Sequence, residues 1–242
     1  MSRNRPPSAV DDDYEMDLNG RFYPIRIKRS SRARSVIVSA DTVKEEVRLI
    51  VPRYTSMAFA IRFAQSKTEW LAERFAEAPP VVPIVNGTQI ALFGETRTIR
   101  WSPKFARRPR LVGDEIQVGG PEDRVAERIL AWLRDQARET CARDLAEYCA
   151  RATLPVPRLS IGDARRRWGS CSGRKSIRLS WRLVMAPEMV RRSVVAHEVA
   201  HLEHMNHGPE FYRLLDRIFE GDRKNADAWL KRHGGNLHLI GA

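Results

Sequence analysis

The chain has 242 residues, 43% of them hydrophobic, so it can bury a sizeable core as one domain or as two small ones. No stretch approaches the ~18 consecutive apolar residues of a membrane span, and the first ten residues lack the apolar segment of a secretory signal. We therefore expect a cytoplasmic protein without a membrane partner. Three cysteines without a C-x-x-C pair argue against a disulfide framework and against a structural zinc knuckle.

The formal charge of +12, with a pI near 10.2, comes largely from clustered arginines. A basic surface of this size attracts phosphate backbones or acidic polypeptides, so nucleic acid is a possible partner. A solvated positive face without a ligand is the alternative, because the aromatic residues are not interleaved in a stacking pattern.

The N-terminal part is predicted to be rich in β-structure. Residues 1–17 lack any periodic apolar pattern, which is typical of a disordered tail. Short runs rich in Ile and Val then predict a meander of three strands, at residues 22–28, 34–40 and 46–51. Apolar residues at helical intervals predict one helix over residues 57–78, with Ser56 as its N-cap.

A proline-rich linker at residues 79–83 precedes a second group of predicted strands, at residues 89–93, 96–101, 110–112 and 115–118. We place the end of a β-rich N-terminal region with one helix, residues 18–119, at Gly119-Gly120. A long helix follows over residues 122–153, with an apolar stripe along one side.

The remaining chain alternates short strands and helices. Strands are predicted at residues 158–161, 165–171 and 176–181, a helix after Pro187, and two further helices around residues 211–219 and 225–233. The fold class is therefore α+β, with residues 120–242 as a second domain that contains a small sheet.

Four of the six histidines lie between residues 197 and 207. His197 and His201 are four residues apart, so on a helix both imidazoles project from one side and can share a metal ion. Glu198 lies on the flank of that face, close enough to take a proton from water held by the metal. This is the H-E-x-x-H arrangement of zincins, and an apolar face opposite the histidines supports the helix.

A catalytic zinc needs a third protein ligand, and two histidines compete for that role. His204 shares the face of the first pair, but a regular helix carries it roughly 10 Å along the axis from His197. We favour His207, because Gly208 and Pro209 stop the helix and allow the chain to turn a side chain back.

Four segments stand in order along the second half of the chain: Arg167-Trp168-Gly169-Ser170-Cys171, Trp181-Arg182-Leu183-Val184-Met185-Ala186-Pro187, His197-Glu198-Val199-Ala200-His201-Leu202 and Met205-Asn206-His207. With these segments the chain resembles YgjP-like metallopeptidases and, at residues 207–211, the related SprT-like proteases. The resemblance implies a compact zincin-like metal domain over residues 120–242, with Zn²⁺ held by His197, His201 and His207 and with Glu198 as the general base.

By the same analogy, the strand that contains Trp168, Gly169 and Ser170 would border the cleft and pair with an extended polypeptide substrate. A core strand anchored by Trp168 is the alternative.

The function expected from these observations is a zinc-dependent metallopeptidase. A basic nucleic-acid-associated protein with a structural zinc is a second hypothesis, although a closed structural site needs no base such as Glu198 and prefers thiolates. A protease that acts on proteins bound to nucleic acid combines the two.

Overall fold

The computed structural model describes residues 14–241, which contain three small sheets and six α-helices, an α+β fold. Most of the predicted tail, residues 1–13, lies outside the described residues. The chain divides into two compact units at Pro80–Val81. The predicted boundary at residue 119 instead falls inside the second unit. None of the helices within residues 14–241 combines the length and the apolar character needed to cross a lipid bilayer.

The first unit is built on a four-stranded sheet in the order β1-β2-β4-β3. Its strands are β1 (Glu15–Leu18), β2 (Arg21–Ser30), β3 (Ile37–Asp41) and β4 (Glu46–Pro52). The tail was predicted to extend to residue 17, but Met16 and Leu18 are buried and draw β1 into the sheet beside β2. The predicted meander is wrong as well, because β4 pairs in parallel with β2 instead of following β3 in the sheet. Val47, Leu49 and Val51 of β4 are fully buried, which suits a central strand.

Two helices, not the predicted one, cover this sheet: α1 (Met57–Gln65) and α2 (Thr68–Ala76). Ser56 caps α1 as expected, since its side chain accepts a hydrogen bond from the Phe59 amide. The break follows from hydroxyl groups at the junction. Ser66 Oγ donates to the Phe63 carbonyl and Thr68 Oγ1 donates to the Gln65 carbonyl, and such bonds compete with helix continuation.

The second unit begins with a sheet of the same topology, in the order β5-β6-β8-β7. Its strands, β5 (Gln89–Leu92), β6 (Glu95–Trp101), β7 (Arg110–Val112) and β8 (Glu115–Val118), lie where they were predicted. As in the first sheet, two antiparallel pairs are joined by a parallel pair at the centre, here β6 with β8. The two sheets thus form a structural repeat that the sequence does not display.

The long helix α3 (Val125–Ala152) follows a short 3₁₀ turn at Glu122–Arg124. Ile129 and Leu133, in its first half, pack in the same core as the β5–β8 sheet. Leu145 and Tyr148, in its second half, pack in a second core that contains apolar residues of the helix with His197 and Glu198. This shared helix explains why residues 81–119 belong to the second unit.

The last sheet has the order β10-β11-β9, with β9 (Arg158–Gly162), β10 (Gly169–Cys171) and β11 (Ser176–Ser180). β10 is shorter than predicted because the exposed segment Arg165–Arg167 forms a turn. It is an edge strand, antiparallel to β11. The helices α4 (Glu188–Ala200), α5 (Pro209–Ile218) and α6 (Arg223–Leu237) complete the unit.

Helix α6 extends past residue 233, where it was predicted to end, and continues through Gly234 and Gly235. Gly234 is buried, and a Cβ atom there would lie 2.7 Å from Cζ2 of Trp168. The glycine therefore serves close packing on Trp168.

Candidate metal centre

Helix α4 and the turn after it carry the first two histidines. His197 lies in the last turn of α4 and His201 is its C-cap residue, so the helix ends well before the predicted stop at Gly208. The chain leaves the helix through a turn in which the Leu202 amide donates to the Val199 carbonyl. This early end matters for the third histidine, since it leaves eight residues, 201–208, in which the chain reverses before Pro209 begins α5.

The imidazoles of His197, His201 and His207 converge. Nε2 of His197 lies 3.1 Å from Nε2 of His201 and 3.1 Å from Nε2 of His207, and all candidate ligand atoms lie within 4.8 Å of one another. Tetrahedral zinc with bonds of about 2.0–2.1 Å separates two ligand nitrogens by about 3.3 Å. The spacing of the three rings thus fits a single metal ion.

His204, the competing histidine, contacts the site through its main chain. Nδ1 of His201 lies 3.0 Å from the His204 carbonyl oxygen, which can only accept a hydrogen bond. This contact places the proton of His201 on Nδ1 and leaves the lone pair of Nε2 free to face the other two histidines. Such carbonyl contacts orient metal-ligating histidines in many proteins.

Phe211 forms an apolar floor beneath the three histidines. It is fully buried in α5, and its ring centroid lies 4.6–5.0 Å from the centroids of all three imidazoles.

Burial, together with the charges of the neighbouring histidines, lowers the pKa of His197 to about 4. His197 is therefore neutral near pH 7, the protonation state that a metal ligand needs.

Glu198 is almost completely buried beside the histidines, with 5% of its surface exposed. Burial raises the pKa of its carboxyl group to about 7, although the charge of Arg167 acts in the opposite direction. Its Oε2 has no hydrogen-bond partner within the described part of the chain. A buried carboxylate with a free oxygen and a pKa near neutrality is suited to accepting and returning a proton.

Gly169, in the edge strand β10, makes the closest approach to Glu198. A Cβ atom at this position would lie 2.5 Å from Glu198 Oε1 and 2.6 Å from its Cγ. Only glycine leaves room for the carboxylate where it stands. The structure therefore brings Gly169 directly beside Glu198.

Trp168 and Ser170, the other two residues predicted to bind substrate, differ in position. Trp168 is half-buried, packs against both core clusters of the second unit and stacks on His238 with ring centroids 5.1 Å apart. It also lines the cavity next to Glu198, whereas Ser170 does not. Ser170 pairs with Arg178 across β10 and β11.

A cavity of about 250 Å³ opens beside His197 and Glu198. Its walls include residues of α4, α5 and α6 that were not among the predicted site residues: Ser193, Val194, Tyr212, Leu215, Arg223, Asp227 and Leu230. Arg223 lies over the Tyr212 ring, 4.9 Å from its centroid, and its Nε donates to Asp216 at 3.2 Å. No pattern in the sequence connected Arg223, Asp227 and Leu230 with the site, because α6 begins more than twenty residues after the motif.

Buried ion pairs fix α4 against α3. Nε of Arg191 donates to Oδ2 of Asp144 at 2.7 Å, and these side chains are 2% and 0% exposed. One turn along α3, Glu147 accepts two hydrogen bonds of 2.8 Å from Arg192. These bonds hold the pKa of Glu147 down at about 2. The helix that carries His197 and Glu198 is thus held rigidly against the core.

One comparison with known proteins gives a match. The family model described as "YgjP-like, metallopeptidase domain" matches residues 34–233, which is most of the chain. No curated protein and no solved structure gives a significant match.

Proposed function

The chain belongs to the YgjP-like metallopeptidase family, and we propose that it is a zincin-like hydrolase that uses zinc to cut peptide bonds. The observation that carries this proposal is the convergence of three imidazole nitrogens beside a buried carboxylate. His197, His201 and His207 would hold the metal, and Glu198 would be the general base.

The donor set favours zinc. Three neutral imidazoles with no carboxylate among them suit zinc better than magnesium or calcium, which prefer oxygen ligands. When bound, zinc would polarise the substrate carbonyl and lower the pKa of a water molecule to about 7.

Glu198 would move the proton in both halves of the reaction. As the water attacks the carbonyl carbon, the free carboxylate oxygen accepts the proton that the water loses. The same carboxyl group then donates it to the nitrogen of the leaving amine as the peptide bond breaks. A pKa raised to about 7 by burial suits both steps, since the group can hold or release a proton near neutral pH.

An extended polypeptide would bind along β10. This strand pairs with β11 on one side, and its other edge is available for an added strand. Gly169 places that edge directly beside Glu198. Trp168 then has two roles, as an anchor of the strand in the core and as a wall of the cavity that would receive a substrate side chain.

A structural zinc in a nucleic-acid-associated protein explains fewer of these features. A closed structural site has four protein ligands and no use for a buried carboxylate with an unpaired oxygen. The cavity that reaches His197 and Glu198 also favours access by a substrate.

The substitution Glu198→Gln tests the proposal, because glutamine keeps the volume of glutamate but cannot accept a proton at neutral pH. We expect about one zinc per chain in both proteins and a fall in peptide hydrolysis of roughly 10²- to 10⁴-fold in the variant. The substrate is taken from a peptide-library digest by the wild-type protein. A variant that binds zinc normally and cleaves as fast as wild type would disprove the assignment of Glu198.

A further inference from the structure

Two segments of the first unit contain no acidic residue. Residues 18–40 and residues 47–68 lack Asp and Glu altogether. Together they contain these basic residues: Arg21, Arg26, Lys28, Arg29, Arg32, Arg34, Arg48, Arg53, Arg62 and Lys67. The positive charge of this unit is therefore concentrated in the parts of the chain that form β2, β4 and the connections after them.

The strand directions place Arg29, Arg32, Arg34 and Arg53 at one end of the sheet. β2 and β4 run in parallel and β3 runs against them, so the ends of β2 and β4 lie beside the start of β3. The opposite end carries Asp41, Glu45 and Glu46, which form ion pairs with the arginines nearest to them. Acidic and basic groups neutralise each other there.

We call the basic end the arginine-rich end, and define it by Arg29, Arg32, Arg34, Arg53 and Tyr54. No carboxylate of residues 14–241 forms an ion pair with any of its four arginines. Ser30 pairs with Pro52 and Ile37 pairs with Ile50, so the loop with Arg32 and Arg34 starts and ends next to the turn with Arg53.

The turn at the end of β4 is held in place by hydrogen bonds from the Arg29 side chain. Nη1 of Arg29 donates to the carbonyl oxygens of Pro52, Arg53 and Thr55. The side chain of Tyr54, which belongs to this turn, is 95% exposed. The result is an aromatic ring presented to solvent by a hydrogen-bonded turn that also carries Arg53.

We propose that the arginine-rich end binds single-stranded nucleic acid. Arginine guanidinium groups bind phosphates in a bidentate manner, and an exposed tyrosine ring provides a surface on which an unpaired base can stack. An acidic polypeptide would use the charges but has no use for the ring. This site lies in the first unit and is independent of the histidines and of the proposed peptidase activity.

The first experiment measures binding of a fluorescent single-stranded oligothymidylate to the full chain by anisotropy, over a range of salt concentrations. We compare wild type with the triple substitution Arg32→Ser, Arg34→Ser and Arg53→Ser. Each lost phosphate contact reduces the salt slope by about 0.7, so the triple variant should lose about 2 in slope and at least about tenfold in affinity at low salt.

A matched control separates the site from net charge. Arg107, Arg138 and Arg143 are exposed arginines of the second unit, and changing all three to serine lowers the charge by the same amount. Binding close to wild type in this control supports the proposal. Equal losses in the two triple variants would overturn it, since the attraction would then be a property of the whole surface.

Tyr54 tests the chemistry of the ligand. Tyr54→Ala should weaken binding about tenfold with an unchanged salt slope, and Tyr54→Phe should restore it, because stacking needs the ring and not the hydroxyl. A polyglutamate peptide should bind more weakly than the oligonucleotide. Absence of oligonucleotide binding, tighter binding of polyglutamate, or no effect of Tyr54→Ala would each refute nucleic acid as the partner.

Discussion

The contact between Gly169 and Glu198 gives the sharpest prediction. The substitution Gly169→Ala adds one methyl group in β10, at a position whose backbone any residue can adopt. The new Cβ would lie 2.5 Å from Glu198 Oε1, where ordinary contacts begin at 3.4 Å. The carboxylate must therefore withdraw by about 0.9 Å, or the strand must move by a similar distance.

A displacement of this size should damage catalysis far more than metal binding. Misplacing a catalytic group by about 1 Å can cost roughly 10²-fold in rate, so we expect kcat to fall about 10²-fold. Zinc content should be unchanged, because the atoms nearest to the new Cβ all belong to Glu198 and not to a histidine. Overpacking should also lower the free energy of unfolding by about 1–3 kcal/mol.

The assay pairs peptide cleavage with zinc analysis and thermal unfolding of the same preparations. Gly173→Ala is the control, since a Cβ atom at Gly173 meets nothing within 4 Å, and it should behave as wild type. Full activity in Gly169→Ala with normal zinc would refute the argument that Glu198 acts from its present position. Loss of zinc before loss of activity would show instead that the substitution disturbs the histidines.

Three further predictions concern the metal and the helix that carries it. His207→Ala should lose zinc affinity far more than His204→Ala in a competition titration, because His204 contributes only a carbonyl oxygen; the reverse order would reassign the third ligand. Asp144→Ala should lower the free energy of unfolding in urea by about 3–5 kcal/mol, since it leaves Arg191 buried without its partner, whereas the double change Asp144→Leu with Arg191→Met should recover most of the loss. A loss under about 1 kcal/mol would mean that water compensates the charge. The pKa of Glu147 is depressed to about 2, so the stability it contributes is present above its unfolded value of about 4.3 and disappears as pH falls through 2; Glu147→Gln should flatten thermal stability over that range, and an unchanged pH profile would contradict the ion pair.

The part of the site that depends on local geometry could be predicted from the sequence. His197 and His201 share a helical face through their spacing alone, and Pro209 at the start of α5 marks the reversal that follows. The position at which α4 ends could not be predicted, because the turn after Ala200, in which the Leu202 and Glu203 amides donate to carbonyls three residues earlier, has no glycine or proline to mark it.

Contacts between segments that are far apart in the chain could not be predicted from the sequence either. Gly169 and Glu198 are almost thirty positions apart in the chain, and the three-residue strand β10 has no sequence pattern that predicts their contact. The same applies to the centre of the first sheet, where β4 pairs in parallel with β2 while β3, which lies between them in sequence, moves to the edge. Alternating apolar residues predict strands but do not determine their neighbours.

The packing of Trp168 makes the strand beside Glu198 depend on a distant part of the chain. Gly234 and His238, in α6 and at its C-cap, contact the Trp168 ring that precedes Gly169. Arg182, just after β11, is buried and donates hydrogen bonds to the carbonyl oxygens of Leu237 and Ile240. A variant truncated after α5 would keep His197, His201 and His207 but would lose these supports of the strand. Removing α6 would therefore disturb the position of Gly169 beside Glu198 without removing any of the three histidines.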